Sequence, residues 1–241
     1  MSKKKIIICI IIFAIITIIA ILITNSVIGY IKDKKKKEEN AKLVKEYYNN
    51  KFEMYKKENS QIYGVDVAFL GDSLTDGCDL EKYYTDYSVT NRGIGGDTTY
   101  GLKGRLKVSA YDVNPKVIVI LIGGNDILSG KGLESIYNNY EEIITGIQNN
   151  LPDTKIVWCS LTALGGNWAK YNDTCIICNQ KIKLLANKFG CTFVDLYTPL
   201  CNEKTDQIFE NYTIEGVHLT DAGYKVISSK INQAITDNLS N

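Results

Sequence analysis

A few side chains in this sequence could do chemistry together if folding brought them to one place. Ser73 sits in Gly71-Asp72-Ser73, and its hydroxyl could attack a carbonyl carbon. Near neutral pH such a hydroxyl needs a base. The chain holds a single histidine, His218, in Glu215-Gly216-Val217-His218-Leu219. Two glycine-rich stretches complete the set: Asn91-Arg92-Gly93-Ile94-Gly95-Gly96-Asp97-Thr98 and Gly123-Gly124-Asn125-Asp126. Glycine lets backbone N–H groups come close to a ligand and an Asn amide donates, which together are what a developing oxyanion requires. The chemistry these types can support is nucleophilic acyl transfer. Each piece also has an ordinary role: Asp and Ser bond their own backbone in turns, glycines only turn the chain, Asn caps a helix, and a lone His more often lies on a surface or in a core.

The elements around these residues would have to carry them to a common edge. Short apolar runs over 65–70, 117–122, 156–161 and 192–196 read as strands, with a weaker one over 88–91. Segments of helical period over 100–108, 133–150, 171–189 and 221–239 separate and follow them. Strand and helix in alternation predict a parallel sheet covered on both faces. In such sheets ligands bind beyond the carboxyl ends of the strands, and Ser73, the glycine-rich loop and Asn125 each follow a predicted strand. His218 falls just before the last helix, where the exit of the fifth strand can return it to Ser73.

In their order and spacing these residues resemble the SGNH (GDSL-type) hydrolase superfamily. Its four blocks are represented by the GDS of Ser73, the Gly of NRGIGGDTT, the Asn of GGND and the His of EGVHL, and the resemblance covers roughly 65–239. It implies a three-layer α/β/α fold on a five-stranded parallel sheet, flavodoxin-like in order. It also implies Ser73 as nucleophile, His218 as base, and an oxyanion hole from the backbone of Ser73 and Gly96 with the side chain of Asn125. NRGIGGDTT looks most like the branch of platelet-activating-factor acetylhydrolases and bacterial carbohydrate acetylesterases. The family usually has Asp three residues before the His; here Glu215 stands there, a methylene longer, with Asp221 or a backbone carbonyl as the alternative partner of the imidazole. The expected activity is removal of short acyl groups, foremost acetyl, from a carbohydrate or similar envelope substrate, with no metal or organic cofactor. The rival readings are a lysophospholipase or thioesterase for longer acyl chains, transfer of the acyl group to another sugar, and a catalytically silent binding module.

The bulk of the sequence frames this reading. At 241 residues and 45% apolar content the chain can bury one substantial core. Residues 1–37 carry eight Lys and one Asp, so a net charge of +1 leaves the remainder at about −6. A mildly acidic body argues against nucleic acid as a partner, since that binding depends on Lys and Arg neutralising phosphates. Residues 6–23 are apolar apart from Thr17, and as a helix would extend roughly 27 Å, close to a bilayer's hydrocarbon thickness. With Lys3, Lys4 and Lys5 before it, 1–31 reads as a membrane anchor, a cleaved signal peptide being the rival; the expected orientation puts the catalytic domain outside. The charged, Gly- and Pro-free stretch up to 60 reads as a helical stalk over 32–60, with the hydrolase domain over 61–241. Of seven Cys, Cys175 and Cys178 form a CxxC that continues the apolar stripe of Ile182, Leu185, Ala186 and Phe189, so core packing is expected. With one His and no second CxxC, a zinc site lacks ligands. No obligate protein partner is evident.

Overall fold

The computed structural model describes residues 2–240, leaving aside the side chains of 3, 5–16 and 18–21. Five parallel strands, β1 (Val67–Gly71), β2 (Val89–Gly93), β3 (Val117–Leu121), β4 (Lys155–Cys159) and β5 (Thr192–Val194), pair in the order β2-β1-β3-β4-β5. A separate antiparallel ribbon joins β6 (Cys201–Asn202) to β7 (Gln207–Ile208). The helices are α1 (Lys3–Glu58), α2 (Ser73–Asp76), α3 (Leu80–Tyr83), α4 (Thr99–Gly104), α5 (Gly124–Leu128), α6 (Leu133–Asn150), α7 (Asn172–Phe189), α8 (Tyr197–Leu200) and α9 (Asp221–Leu239).

The strand pattern explains the layers. In β3 every residue is buried, with Ile118 and Ile120 facing one core and Val117, Val119 and Leu121 the other. The first core takes Ile136, Ile143 and Ile147 of α6 and Ile182 and Leu185 of α7. The second takes Ile227, Ile231 and Ile235 of α9, spaced one helical turn apart. Cys175 and Cys178 lie in the first core, as their place on the apolar stripe of α7 requires. Because β2 and β3 flank β1 on opposite sides, the chain reverses its direction of travel across the sheet after β2. The loops leaving β1, β2 and β3 therefore open on the switch point where such folds bind ligands.

Three features depart from the sequence-based expectation. The helix expected over 100–108 is interrupted: α4 stops at Gly104, and a wider π turn follows over Lys107–Tyr111. Arg105 lies at the break, fully buried. Its guanidinium donates to the carbonyls of Gly71 (3.0 Å) and Arg92 (2.7 Å), to Ser109 Oγ (2.7 Å) and to Asp97 Oδ2 (2.7 Å). The β6–β7 ribbon was not expected at all; two-residue strands have no readable period. The third departure is at the domain boundary. The chain divides into compact units Met1–Tyr47 and Tyr48–Asn241, so the second begins well before 61. The reason is a stripe at helical spacing, Tyr48, Phe52 and Tyr55, which packs with Ile94 and Val108. Within the first unit α1 exposes its side chains over 32–47. The apolar run over 6–23 has helical backbone, but most of its side chains, and with them the expected anchor, lie outside the described residues. Among the described residues no helix is long and apolar enough to cross a membrane.

Replacing Arg105 by Met would leave Asp97 as a buried carboxylate and strip donors from two strand-end carbonyls. Breaking one side of a buried pair costs about 3–5 kcal/mol. Urea unfolding of Arg105→Met is expected to show a loss of that size; a loss under about 1 kcal/mol would mean that water replaces the guanidinium.

Candidate active site

Strand β1 ends at Gly71, and the chain turns at once into the single helical turn of α2. Asp72 caps that turn, its Oδ1 accepting from the Leu74 N–H at 3.1 Å, and Ser73 opens it. The close approach of β2 makes this geometry possible. A Cβ on Gly93 would strike the backbone of Asp76, with the carbonyl carbon of Thr75 2.7 Å away, so no side chain fits there.

His218 reaches the same place from the far end of the sequence. Its Nε2 lies 3.0 Å from Ser73 Oγ, and its Nδ1 bonds Glu215 Oε1. Since a carboxylate only accepts, the neutral ring carries its proton on Nδ1 and leaves Nε2 to receive the Ser73 hydroxyl proton. The turn that holds the pair is tight. Gly216 adopts φ +93°, its N–H donates to Thr213 Oγ1 (2.8 Å), and Thr213 Oγ1 and the Ile214 N–H both donate to the His218 carbonyl (2.9 Å). The longer arm of Glu215 folds back within this turn, where its Oε1 also accepts from the His218 N–H at 3.2 Å. Asp221, the alternative acid, is occupied elsewhere: Lys82, Tyr83 and Lys225 hold its carboxyl well below the usual carboxylate range.

Of the expected oxyanion donors, Ser73 and Asn125 line one cavity, with Leu128, Leu161, Leu164 and Val217 among its apolar walls. Asn125 does not cap α5. Its Nδ2 donates one proton to the Asp97 carbonyl at 2.9 Å, and an amide nitrogen has a second to give. Gly96 lies exposed on the neighbouring loop and is not part of the cavity's lining. Asp126, the next residue after Asn125, ties the two glycine-rich loops together, accepting from the Thr99 N–H and Thr99 Oγ1 at 2.8 Å each. In the loop over 162–173, Tyr171 packs against the core while Trp168 is partly exposed.

An imidazole held between a carboxylate and a serine hydroxyl, beside amide donors, can drive acyl transfer. A family model, the GDSL-like lipase/acylhydrolase family, matches residues 69–226, which include both Ser73 and His218. The chain belongs to this family. It is an α/β acylhydrolase of the SGNH superfamily, and its activity class is carboxylic ester hydrolysis. No curated protein matches the acylhydrolase in sequence. Among solved structures it is similar to a protein from Streptococcus pneumonia named for platelet activating factor, with 26% identity, TM-score 0.77, and 82% of this chain and 97% of that one covered. A GDSL-like lipase from Bacteroides thetaiotaomicron shares 22% identity at TM-score 0.71, covering 79% and 98%. An acetylxylan esterase from Geobacillus stearothermophilus shares 20% at TM-score 0.61, covering 72% and 95%.

The acylhydrolase also buries a carboxyl that sequence reading passed over. Asp72 is almost inaccessible, and burial pushes its carboxyl up to about 7, against the bond from Leu74 and the nearby His218. In the unfolded chain the same group loses its proton at roughly pH 4. Between roughly pH 4 and pH 7 the folded state therefore binds a proton the unfolded state lacks, and stability falls as pH rises through that window. Asn at 72 keeps the acceptor for Leu74 and carries no charge. Thermal unfolding of Asp72→Asn is expected to gain on the parent between pH 4 and pH 8; a melting difference that ignores pH would refute the shifted carboxyl.

Proposed function

We propose that this acylhydrolase removes short acyl groups, foremost acetyl, from a carbohydrate or similar envelope substrate, with Ser73 as nucleophile, His218 as base and Glu215 as the acid that orients the base. The observation that carries the proposal is the continuous contact from Glu215 through the imidazole to Ser73 Oγ. In the first step His218 Nε2 takes the hydroxyl proton as Oγ bonds to the ester carbonyl carbon. The oxyanion is held by the N–H groups of Ser73 and Gly96 and by the amide of Asn125. The imidazolium then returns its proton to the departing alkoxide. In the second step water attacks the acyl-serine by the same route and releases the acid.

Two further observations support the choice of substrate. The cavity beside Ser73 has a volume of about 30 Å³. That is room for about two water-sized groups, which suits an acetyl methyl. Beside it, an open groove of about 470 Å³ is lined by Asn202, Gln207, Phe209, Glu210 and Asn211. One backbone bond links the two linings: the Leu164 carbonyl, in the acyl cavity, accepts from the N–H of Ile208, in the groove. Amides, a carboxylate and an aromatic face are the groups that recognise sugar hydroxyls and ring faces. Three catalytic variants of the acetylxylan esterase replace an aspartate, a serine and a histidine by alanine. In this reading Glu215 takes the place of that aspartate.

We also infer that residues 1–31 anchor the chain in a membrane with the catalytic unit outside. The support for the anchor is the apolar run over 6–23; Lys flank it on both sides, so the outward placement follows only from a Lys-preceded N-terminal helix standing before a catalytic domain. The full chain should stay with membranes through an alkaline carbonate wash, and release by that wash would overturn the anchor.

With the full chain in detergent, p-nitrophenyl acetate should be turned over at least about tenfold faster than the octanoate. Ser73→Ala should abolish turnover without a change in melting temperature. Glu215→Gln should lower kcat by about ten- to a thousandfold, less than the about ten-thousand-fold of a buried triad acid, because this pair is half exposed. Undiminished turnover by Ser73→Ala would defeat the assignment, and preference for octanoate would turn it towards lipid or thioester substrates.

A further inference from the structure

The loop after β2 carries Gly96, yet its hold on the fold comes in large part from residues outside the family match. Asp76 closes the helical turn that Ser73 opens, and its Oδ2 accepts from the Gly95 N–H at 3.0 Å, one residue before Gly96. Its Oδ1 pairs with Lys51 Nζ at 2.6 Å, with both side chains largely buried. Lys51 belongs to the last turns of α1, where its ammonium also lies 5.8 Å from the centre of the Tyr55 ring. The Tyr55 hydroxyl donates to the Gly93 carbonyl, and the ring is fully buried against Ile94. Beneath that ring the Arg92 guanidinium, 4.6 Å from its centre, reaches Glu58 and, at 2.9 Å, Asn59 Oδ1. On its far side the loop is pinned separately, through Asp97 to Arg105 and Asn125.

We propose that Lys51 is a positioning residue for the oxyanion loop, and that 48–58 forms a strap across the back of the loop on which turnover depends. The inference rests on Ser73 as nucleophile and Gly96 as a donor to the oxyanion. Its physical content is a relay of fixed charges: the ammonium of Lys51 fixes the Asp76 carboxylate, the carboxylate fixes the Gly95 N–H, and the peptide that bears the Gly96 N–H is thereby held beside the turn bearing Ser73. Donors stabilise an oxyanion only when they stand in place before the charge develops. A loop that has lost one of its two pins must be ordered during the reaction, and the loss appears in kcat and leaves ground-state binding unchanged.

The test compares the full chain with Lys51→Met, Lys51→Arg and Tyr55→Phe, reading kcat, KM and melting temperature on p-nitrophenyl acetate. Removal of a whole oxyanion donor lowers kcat by about a hundred- to a thousandfold. A displaced donor should lower it less, so Lys51→Met is expected to reduce kcat about ten- to a hundredfold with KM within about twofold. Lys51→Arg should restore kcat to within about threefold of the parent. Tyr55→Phe removes a single hydroxyl from the same strap, should lower kcat in the same pattern, and decides the matter if Lys51→Met does not fold. Parental kcat in the folded variants, or a loss of melting temperature with kcat per folded molecule unchanged, would overturn the proposal. Ser73→Ala assayed alongside separates the two levels: if it is inactive while the strap variants are fully active, only the strap falls; if it too is active, the catalytic assignment falls.

Discussion

A guanidinium closed off from water must find acceptors for its N–H groups, and Arg105 finds them at the places the site depends on. Two are carbonyls at the ends of neighbouring strands, that of Gly71, the last residue of β1, and that of Arg92, the last but one of β2; a third is Asp97, at the end of the glycine-rich loop. The Gly71 carbonyl already accepts from the Ile94 N–H at 3.1 Å, and the guanidinium gives it a second donor. Through these two carbonyls the buried Arg105 joins the exits of β1 and β2. Burial favours the neutral form of Asp97, while Arg105 opposes it by favouring the charged one. This knot is one of the two pins that set the spacing between the turn of Ser73 and the loop of Gly96, the other being the bond from the Gly95 N–H to Asp76.

The periodic parts of this architecture were legible in the sequence. Helices over 133–150 and 221–239 stand where their apolar spacing put them, and the five strands lie within a few residues of their expected runs. The meeting of Ser73, Asn125 and His218 near one strand edge was also legible, because in an alternating α/β chain the carboxyl ends of the strands share one edge. What escaped is aperiodic. A buried Arg looks like any surface Arg in a helical pattern, so nothing marked Arg105 as the residue that breaks α4. Tyr48, Phe52 and Tyr55 did carry a signal, an aromatic stripe of period 3.5 within a charged helix, masked by the surrounding Lys and Glu. Asp72 was hidden by its own motif, since an Asp before a Ser in a turn reads as a local cap, which it also is.

Glu215 shows how one methylene is absorbed. A carboxylate three residues before a histidine must come back along the chain to reach the ring, and the positive φ of Gly216 shortens that path by turning the backbone sharply. The carboxylate also accepts from the His218 N–H, so the extra reach is used within the turn.

Glu215 and His218 thus occupy a single hairpin turn, four residues from end to end, while the Ser73 hydroxyl that the imidazole meets lies on the helical turn after β1. Tautomer and ring orientation are settled inside the hairpin, and only the gap from Nε2 to Oγ depends on how the hairpin sits. A displacement of this segment away from Ser73 would lengthen the gap from Nε2 to Oγ while the carboxylate and the ring stay paired. Such a displacement would be read at Nε2, which loses its serine partner, and not at Nδ1, which keeps its carboxylate.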